Sequence, residues 1–271
     1  MPLPPRTDSD LRQVQFFQHP GNDSNEFVLH RPSAREPGVL PTPPVELMEY
    51  GEDKEEHLAG GKREADVIRG LLSADGAEPA AWQRFGELGC SNGRVLRWFA
   101  DWAEHAEGWG LDINSHTLHW ASQHLRPPFH FAVSTTGPHL FFPDSSFGLL
   151  YACSVFTHVD DLSFSWFCEI YRVLEPGGYF FLTVHDEAAW QILETMEGHP
   201  LRMKLSASPN IAAFEAGDVD MLSASRDHMS QVFFRRAFLL ERLEELFQFV
   251  AVVEGTMGGF QTGVLVRRAL T

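Results

Sequence analysis

The order of the fold is written between Trp82 and His185, where WQRFGELG (82–89), RVLRWFADWAEHA (94–106), GWGLDI (108–113), SHTLHWASQHL (115–125), FHFAV (129–133), FGLLYACSVF (147–156), LSFSWFCEIYRVL (162–174) and GYFFLTVH (178–185) follow one another. Short apolar runs, too uniformly apolar for a half-exposed sheet, alternate with stretches of helical period. Strands buried on both faces and separated by amphipathic helices predict an α/β fold with a doubly wound parallel sheet. In such a sheet the crossovers are right-handed and ligands gather beyond the carboxyl ends of the strands.

Outward from this stretch the pattern changes on both sides. Residues 1–44 hold nine of the 17 prolines and little periodicity, which predicts an extended N-terminal arm. The domain proper is expected over 45–271. Within it, a helix is expected to begin just after Gly60-Gly61, with Ala65, Val67, Ile68, Leu71 and Leu72 as its apolar face. After His185 the alternation lapses, and 186–235 reads as an insertion. Trp190, Met196, Met203, Met221 and Met229 in a polar setting suit a cap over a pocket, and a helical insertion without a ligand role fits equally well. RRAFLLERLEELF then predicts a helix, and FVAVVEG and GVLVRRA two final strands.

Composition narrows the function classes. The chain has 271 residues, 44% of them hydrophobic, enough for one sizeable core. Three cysteines, Cys90, Cys153 and Cys168, have neither disulfide-framework nor zinc-finger spacing, so a reducing compartment is expected. The start lacks the basic-then-apolar pattern of a secretory leader, and no apolar run approaches a membrane span, so a cytoplasmic location without membrane contact is expected. A net charge of −16, with no block of Lys and Arg, argues against nucleic acid as a partner. No metal site is expected: His116, His119 and His124 share a helix but lack the i, i+4 spacing of a zinc pair. Trp98 and Trp102, at helical spacing, read as core.

The chemistry is carried by Glu87-Leu88-Gly89-Cys90-Ser91-Asn92-Gly93-Arg94, placed where a strand ends and a helix is expected. Glycines there let the backbone turn and approach a ligand, and a helix opening offers unpaired N–H groups to an anion. The glycine spacing is not the GxGxxG of a nicotinamide enzyme. About 20 residues on, Asp112 ends the second strand, where a carboxylate can accept from both hydroxyls of a ribose. Alone it would read as a helix cap; its register with the first segment favours the ribose.

These segments, with FFPDSSFGLLYACSVFTHV, WFCEIYRVLEPGGYFFLTVH, PPVELMEYG and LAGG, resemble the class I S-adenosylmethionine-dependent methyltransferases, a bacterial small-molecule branch in particular, over roughly Pro43 to Arg268. The resemblance implies a seven-stranded Rossmann-like sheet of order 3-2-1-4-5-7-6 with the last strand antiparallel. It implies S-adenosylmethionine as cofactor, with Glu87, Gly89, Ser91 and Gly93 at its amino acid end and Asp112 with Ile113 at the ribose. Thr135 or Thr136 would lie near the adenine, and Cys153, Ser154 and His158 would face cofactor and acceptor. Two residues depart from the family: Ser91 stands where Gly is usual, and Gly148 where Asp is common, a loss that could loosen the fourth strand.

Methyl transfer needs chiefly an acceptor held on the methyl axis in a dry pocket. An oxygen or protonated nitrogen acceptor must also lose a proton, for which a histidine is suited near neutral pH. His158 and His185, both following strands at the ligand-bearing end, are the candidate bases or acceptor-orienting groups, and Asp186 could orient His185. The expected function is methyl transfer to an O or N atom of a small-molecule acceptor. The alternative is a noncatalytic methyltransferase-like binding or regulatory subunit. The arm could close over the site or reach a second subunit, so a homodimer stays among the expectations.

Overall fold

The structure, a computed structural model, describes residues 39–48, 53–224 and 230–270. Residues 1–38 of the expected arm, and Met229, lie outside the described residues. Five strands, β1 (Arg84–Leu88), β2 (Glu107–Asp112), β3 (His130–Val133), β4 (Phe147–Ala152) and β5 (Leu174–Val184), pair in parallel, and β8 (Gln248–Val253) and β9 (Thr262–Arg267) complete a seven-stranded sheet of order β3-β2-β1-β4-β5-β9-β8. β9 runs antiparallel to both neighbours. With a small antiparallel pair, β6 (Met221–Ser223) and β7 (Val232–Phe234), intervening in the chain, this is the strand order that the family resemblance implies.

The strands alternate side chains between two cores, as a period of two requires. Leu149, Tyr151, Tyr179 and Phe181 face α1 (Lys54–Ala74) and α2 (Ser115–His124), through Ala65, Ile68, Leu72, Trp120 and Ala121. Leu150, Ala152, Phe180 and Leu182 face α3 (Ser163–Val173) and the later α7 (Arg236–Glu244), through Trp166, Phe167, Ile170, Leu239 and Leu243. Trp102 packs on Phe99, Phe85 and Trp82, in the core role expected of it.

Three local expectations are corrected. The first helix begins at Lys54, capped by the Asp53 carboxylate, so Gly60 and Gly61 lie inside it. They are tolerated because a Cβ at Gly61 would stand 2.2 Å from the carbonyl oxygen of Arg94: the helix leans directly on that backbone. Second, 94–106 is no α-helix but turns and two 3-10 segments, Leu96–Phe99 and Trp102–Glu104. Its backbone is pressed against α1, the Arg94 side chain is drawn back to Glu64, and Arg97 reaches the carbonyls of Leu40 and Pro41. Third, Gly148 does not leave a hole. A Cβ there would lie 2.1 Å from the Trp82 indole, which occupies the space, although the β4–β5 register does slip between Phe147 and Leu149.

The 186–235 segment folds as α4 (Glu187–Thr195), α5 (Pro200–Ser206), α6 (Ile211–Ala216) and the β6–β7 pair around its own small core of Trp190, Leu193, Leu205, Phe214, Leu222 and Phe233. It is anchored to the ligand-bearing end of the sheet by Val232 N–H to the Thr157 carbonyl and Phe234 N–H to the His185 carbonyl.

Candidate active site

The carboxyl ends of the parallel strands and the loops that leave them carry the expected site residues, with Glu87 inside β1 and Asp112 closing β2. After β1, the N–H groups of Gly89 and Cys90 both donate to the Leu111 carbonyl, which ties the turn to β2. Gly89 and Gly93 both have φ of +76°, and a Cβ would come within 2.3 Å of Val155 and 2.5 Å of Leu125, so conformation and space both require glycine. Ser91 between them also has positive φ, 46°, without glycine's freedom. It is held there by its N–H, which donates to Asp112 Oδ2 at 2.6 Å, while Asn114 N–H donates to Oδ1 at 2.6 Å. Asp112, buried beside half-buried Ile113, thus fastens the first loop to the second through charge-assisted bonds. The hydroxyls of Ser91 and Ser134, in the loops after β1 and β3 on either side of β2, are buried without a hydrogen-bond partner among the described residues. Buried polar groups are nearly always paired, so two orphans at one sheet edge point to a ligand. Thr135, by contrast, is exposed, and its hydroxyl turns to the Gly137 carbonyl.

Glu87 lies deeper than a cofactor-lining residue need. Its carboxyl is 2% exposed within β1, accepts from the Tyr151 hydroxyl at 3.2 Å, and is pushed up to about 8 by burial, against the pull of Arg94. Arg94 is itself engaged in a buried ion pair with Glu64 of α1. Burial, and then the nearby Glu87, push the Cys153 thiol well above its usual range, so it stands as a neutral, unreactive wall.

Ser154, with φ of +59°, belongs to a polar ring. Its N–H donates to Thr183 Oγ1 at 2.7 Å, that hydroxyl donates to Gln261 Oε1 at 2.7 Å, and Gln261 Nε2 donates to Ser154 Oγ at 3.0 Å. The ring locks the β4 loop to β5 and to the approach of β9. Thr183 and Gln261 were not legible as site residues; Thr183 is one polar side chain in an apolar run, and Gln261 follows glycines with no motif around it. A second group missed from sequence joins the glycine turn to the upstream segment: Asn92 is buried, donates to the Leu47 carbonyl at 2.6 Å and meets His57 Nε2 of α1 at 3.2 Å.

The two histidines differ. His158 is half-buried, and its Nδ1 lies 2.7 Å from the Ser230 carbonyl. A carbonyl only accepts, so Nδ1 carries the proton and the neutral ring's lone pair is on Nε2. His185 is 2% exposed and stacked against Phe233 and Phe260; burial first, then the neighbouring His158, lowers it to about 3. Neither of its nitrogens has a hydrogen-bond partner among the described residues. Asp186 does not orient it, contrary to expectation: Oδ1 caps α4 through Ala189 N–H and accepts from Thr262, while Oδ2 pairs with Arg236 Nε at 2.7 Å.

Comparison with known proteins bears on this arrangement. The family model described as a methyltransferase domain matches residues 86–182, from the middle of β1 to near the end of β5, including the glycine turn and Asp112. Over that stretch the chain is similar to a methyltransferase domain, and its sheet has the Rossmann-like order described above. Crystal structures share its fold: a methyltransferase from Methanosarcina mazei described as S-adenosylmethionine-dependent (20% identity, 76% of this chain and 98% of that one, TM-score 0.54), one from Mesorhizobium loti described likewise (19%, 76% and 98%, 0.51), and magnesium protoporphyrin IX methyltransferase from Synechocystis with bound S-adenosylhomocysteine (12%, 83% and 92%, 0.55). At these identities the likeness is one of fold. Among the described residues no group of three or more His, Cys, Asp or Glu is placed to hold a metal, and no helix is long and apolar enough to cross a membrane.

Proposed function

We propose that this methyltransferase domain transfers a methyl group from S-adenosylmethionine to an oxygen or nitrogen atom of a small-molecule acceptor. The observation that carries the reading is the glycine turn clamped to Asp112, with the buried, partnerless hydroxyls of Ser91 and Ser134 at the same sheet edge. Those residues fit the cofactor: an amino acid end takes hydrogen bonds from a close-approaching backbone at Gly89 to Gly93 and from Ser91, and ribose hydroxyls suit the Asp112 carboxylate beside Ile113. Cys153 and Ser154 supply the neighbouring wall. The cofactor, when bound, supplies an electrophilic methyl group on a sulfonium.

The remaining chemistry belongs to the chain. Insertion 186–235 serves as the cap that excludes water, and His158, its tautomer set by the Ser230 carbonyl, presents Nε2 as the base that takes the acceptor's proton. His185, held neutral, cannot supply positive charge near neutral pH and acts by hydrogen bonding. The noncatalytic alternative rested on Gly148 as a damaged strand and on the long N-terminal arm; the Trp82 indole filling the place beside Gly148 removes the first support.

The test is calorimetric titration with S-adenosylhomocysteine, which needs no acceptor. Wild type is expected to bind, with affinity falling at least about tenfold in Asp112→Ala and also in the isosteric Asp112→Asn, in keeping with about 1.5–3 kcal/mol for hydrogen bonds to a charged group. No binding by a folded wild-type protein would overturn the reading.

A further inference from the structure

His185 presents an arrangement that packing alone does not explain. Its imidazole lies 4.6 Å from Phe233 and 5.4 Å from Phe260, centre to centre, with interplanar angles of 29° and 23°. Both kinds of chemistry open to an imidazole, one N–H donor and one lone pair, are buried there, and neither is used by any of the described residues. The polar groups around it are committed elsewhere: the Asp186 carboxylate to Ala189, Thr262 and Arg236, and His158 Nδ1 to the Ser230 carbonyl. The backbone of Val232 favours the ring's proton without reaching hydrogen-bond geometry. A phenylalanine would fill such an aromatic stack with no orphaned nitrogen, so the histidine is explained by a polar atom that arrives from outside the chain.

Resting on the methyl-transfer reading, we propose that the edge of His185 recognises the acceptor, and that it selects an apolar molecule bearing an uncharged hydroxyl. A hydroxyl both donates and accepts, as the neutral imidazole does, and its oxygen is a methyl acceptor once His158 has taken the proton. A carboxylate would need a cation at this place and an ammonium an anion: burial between Phe233 and Phe260 keeps the imidazole uncharged, and the Asp186 carboxylate, next in sequence, is already neutralised by Arg236.

Three probes sharing one ring system separate the cases: 1-naphthol, 1-naphthoate and 1-naphthylmethylammonium, each titrated at pH 7.5 into protein saturated with S-adenosylhomocysteine. The expected result is binding of 1-naphthol at least tenfold tighter than of either ion. In His185→Phe this binding falls at least tenfold, S-adenosylhomocysteine affinity stays within twofold, and Tm rises, because two orphaned polar atoms are replaced by an apolar ring. His185→Gln, which keeps a donor and an acceptor, retains part of the naphthol affinity. Equal binding of the three probes, no binding of 1-naphthol, or a His185→Phe protein of lower Tm that still binds 1-naphthol as wild type does would overturn the proposal; the last would make the ring a structural element bonded to buried water. S-adenosylhomocysteine binding without discrimination among the probes sinks this inference alone, whereas its absence in wild type sinks the methyl-transfer reading as well.

Discussion

Among individual residues, Glu87 sets the clearest physical conflict. A carboxyl in the middle of a buried strand binds its proton more tightly in the folded chain, about 8, than the ordinary value of 4.5, because burial penalises the anion more than Arg94 favours it. As pH rises from 4.5 to about 8, the unfolded chain has already released this proton while the folded chain retains it. Stability is therefore highest below this window, falls through it, and stays low above it. Glu87→Gln keeps an acceptor for the Tyr151 hydroxyl and has no proton to lose. Relative to wild type it should gain stability steadily between pH 5 and 8, by on the order of 3 kcal/mol at the top. Urea denaturation of the two proteins across that range measures the difference, in which titrations common to both, such as that of His185, cancel. Parallel profiles would show that the folded chain holds no extra proton at Glu87 and would defeat the assignment.

At the scale of elements, the two glycine types in α1 separate propensity from packing. Glycine in a helix interior costs up to about 1 kcal/mol relative to alanine. Gly70 has open space around its Cα, so Gly70→Ala should raise stability by up to about 1 kcal/mol. At Gly61 the same change would drive a Cβ into the Arg94 carbonyl at 2.2 Å and push the helix off the glycine turn, for a net loss of about 1–3 kcal/mol. Thermal denaturation of both variants decides it, and a stabilised Gly61→Ala would refute the close approach. The same contact explains what sequence could and could not show. The strands and the helices α2, α3 and α7 were legible because buried apolar runs and helical periodicity report directly on a sheet covered on both faces, whereas the order of the strands was implied only by the family resemblance. The 94–106 segment carried a helical pattern too, yet its backbone conformation is decided by α1, thirty residues away in sequence, and by the carbonyls of Leu40 and Pro41. The site was legible in Gly89, Ser91, Gly93 and Asp112, whose spacing is local. Thr183, Gln261, Asn92 and His57 make contacts across 29 to 78 positions or with another element, which no local pattern encodes.

For the whole molecule, the question is how an insertion of fifty residues stays in register with the sheet it covers. Its two ends are clasped together: Asp186, fully buried at the entry, accepts from Arg236 Nε at the exit, while the same carboxylate holds Thr262 of β9 and caps α4. Arg236 in turn reaches Glu254 in the loop before β9, and its backbone N–H donates to Glu187. The clasp thus fixes the root of the insertion to the antiparallel edge of the sheet, on the side away from β1, β2 and β3. Removing the carboxylate should loosen the insertion before it loosens the glycine turn. Asp186→Ala leaves a guanidinium without its buried partner and α4 without its cap; because Arg236 is about a quarter exposed, the loss should sit near the lower end of the 3–5 kcal/mol seen when buried pairs are broken. Hydrogen exchange is expected to quicken first in α4, α5 and α6, with β1, β2 and the turn at Gly89 to Gly93 still protected and S-adenosylhomocysteine still bound. If protection instead falls evenly across the sheet and the insertion, the two unfold as one unit and Asp186 is a core residue of the whole domain, not the fastening of a separable cover.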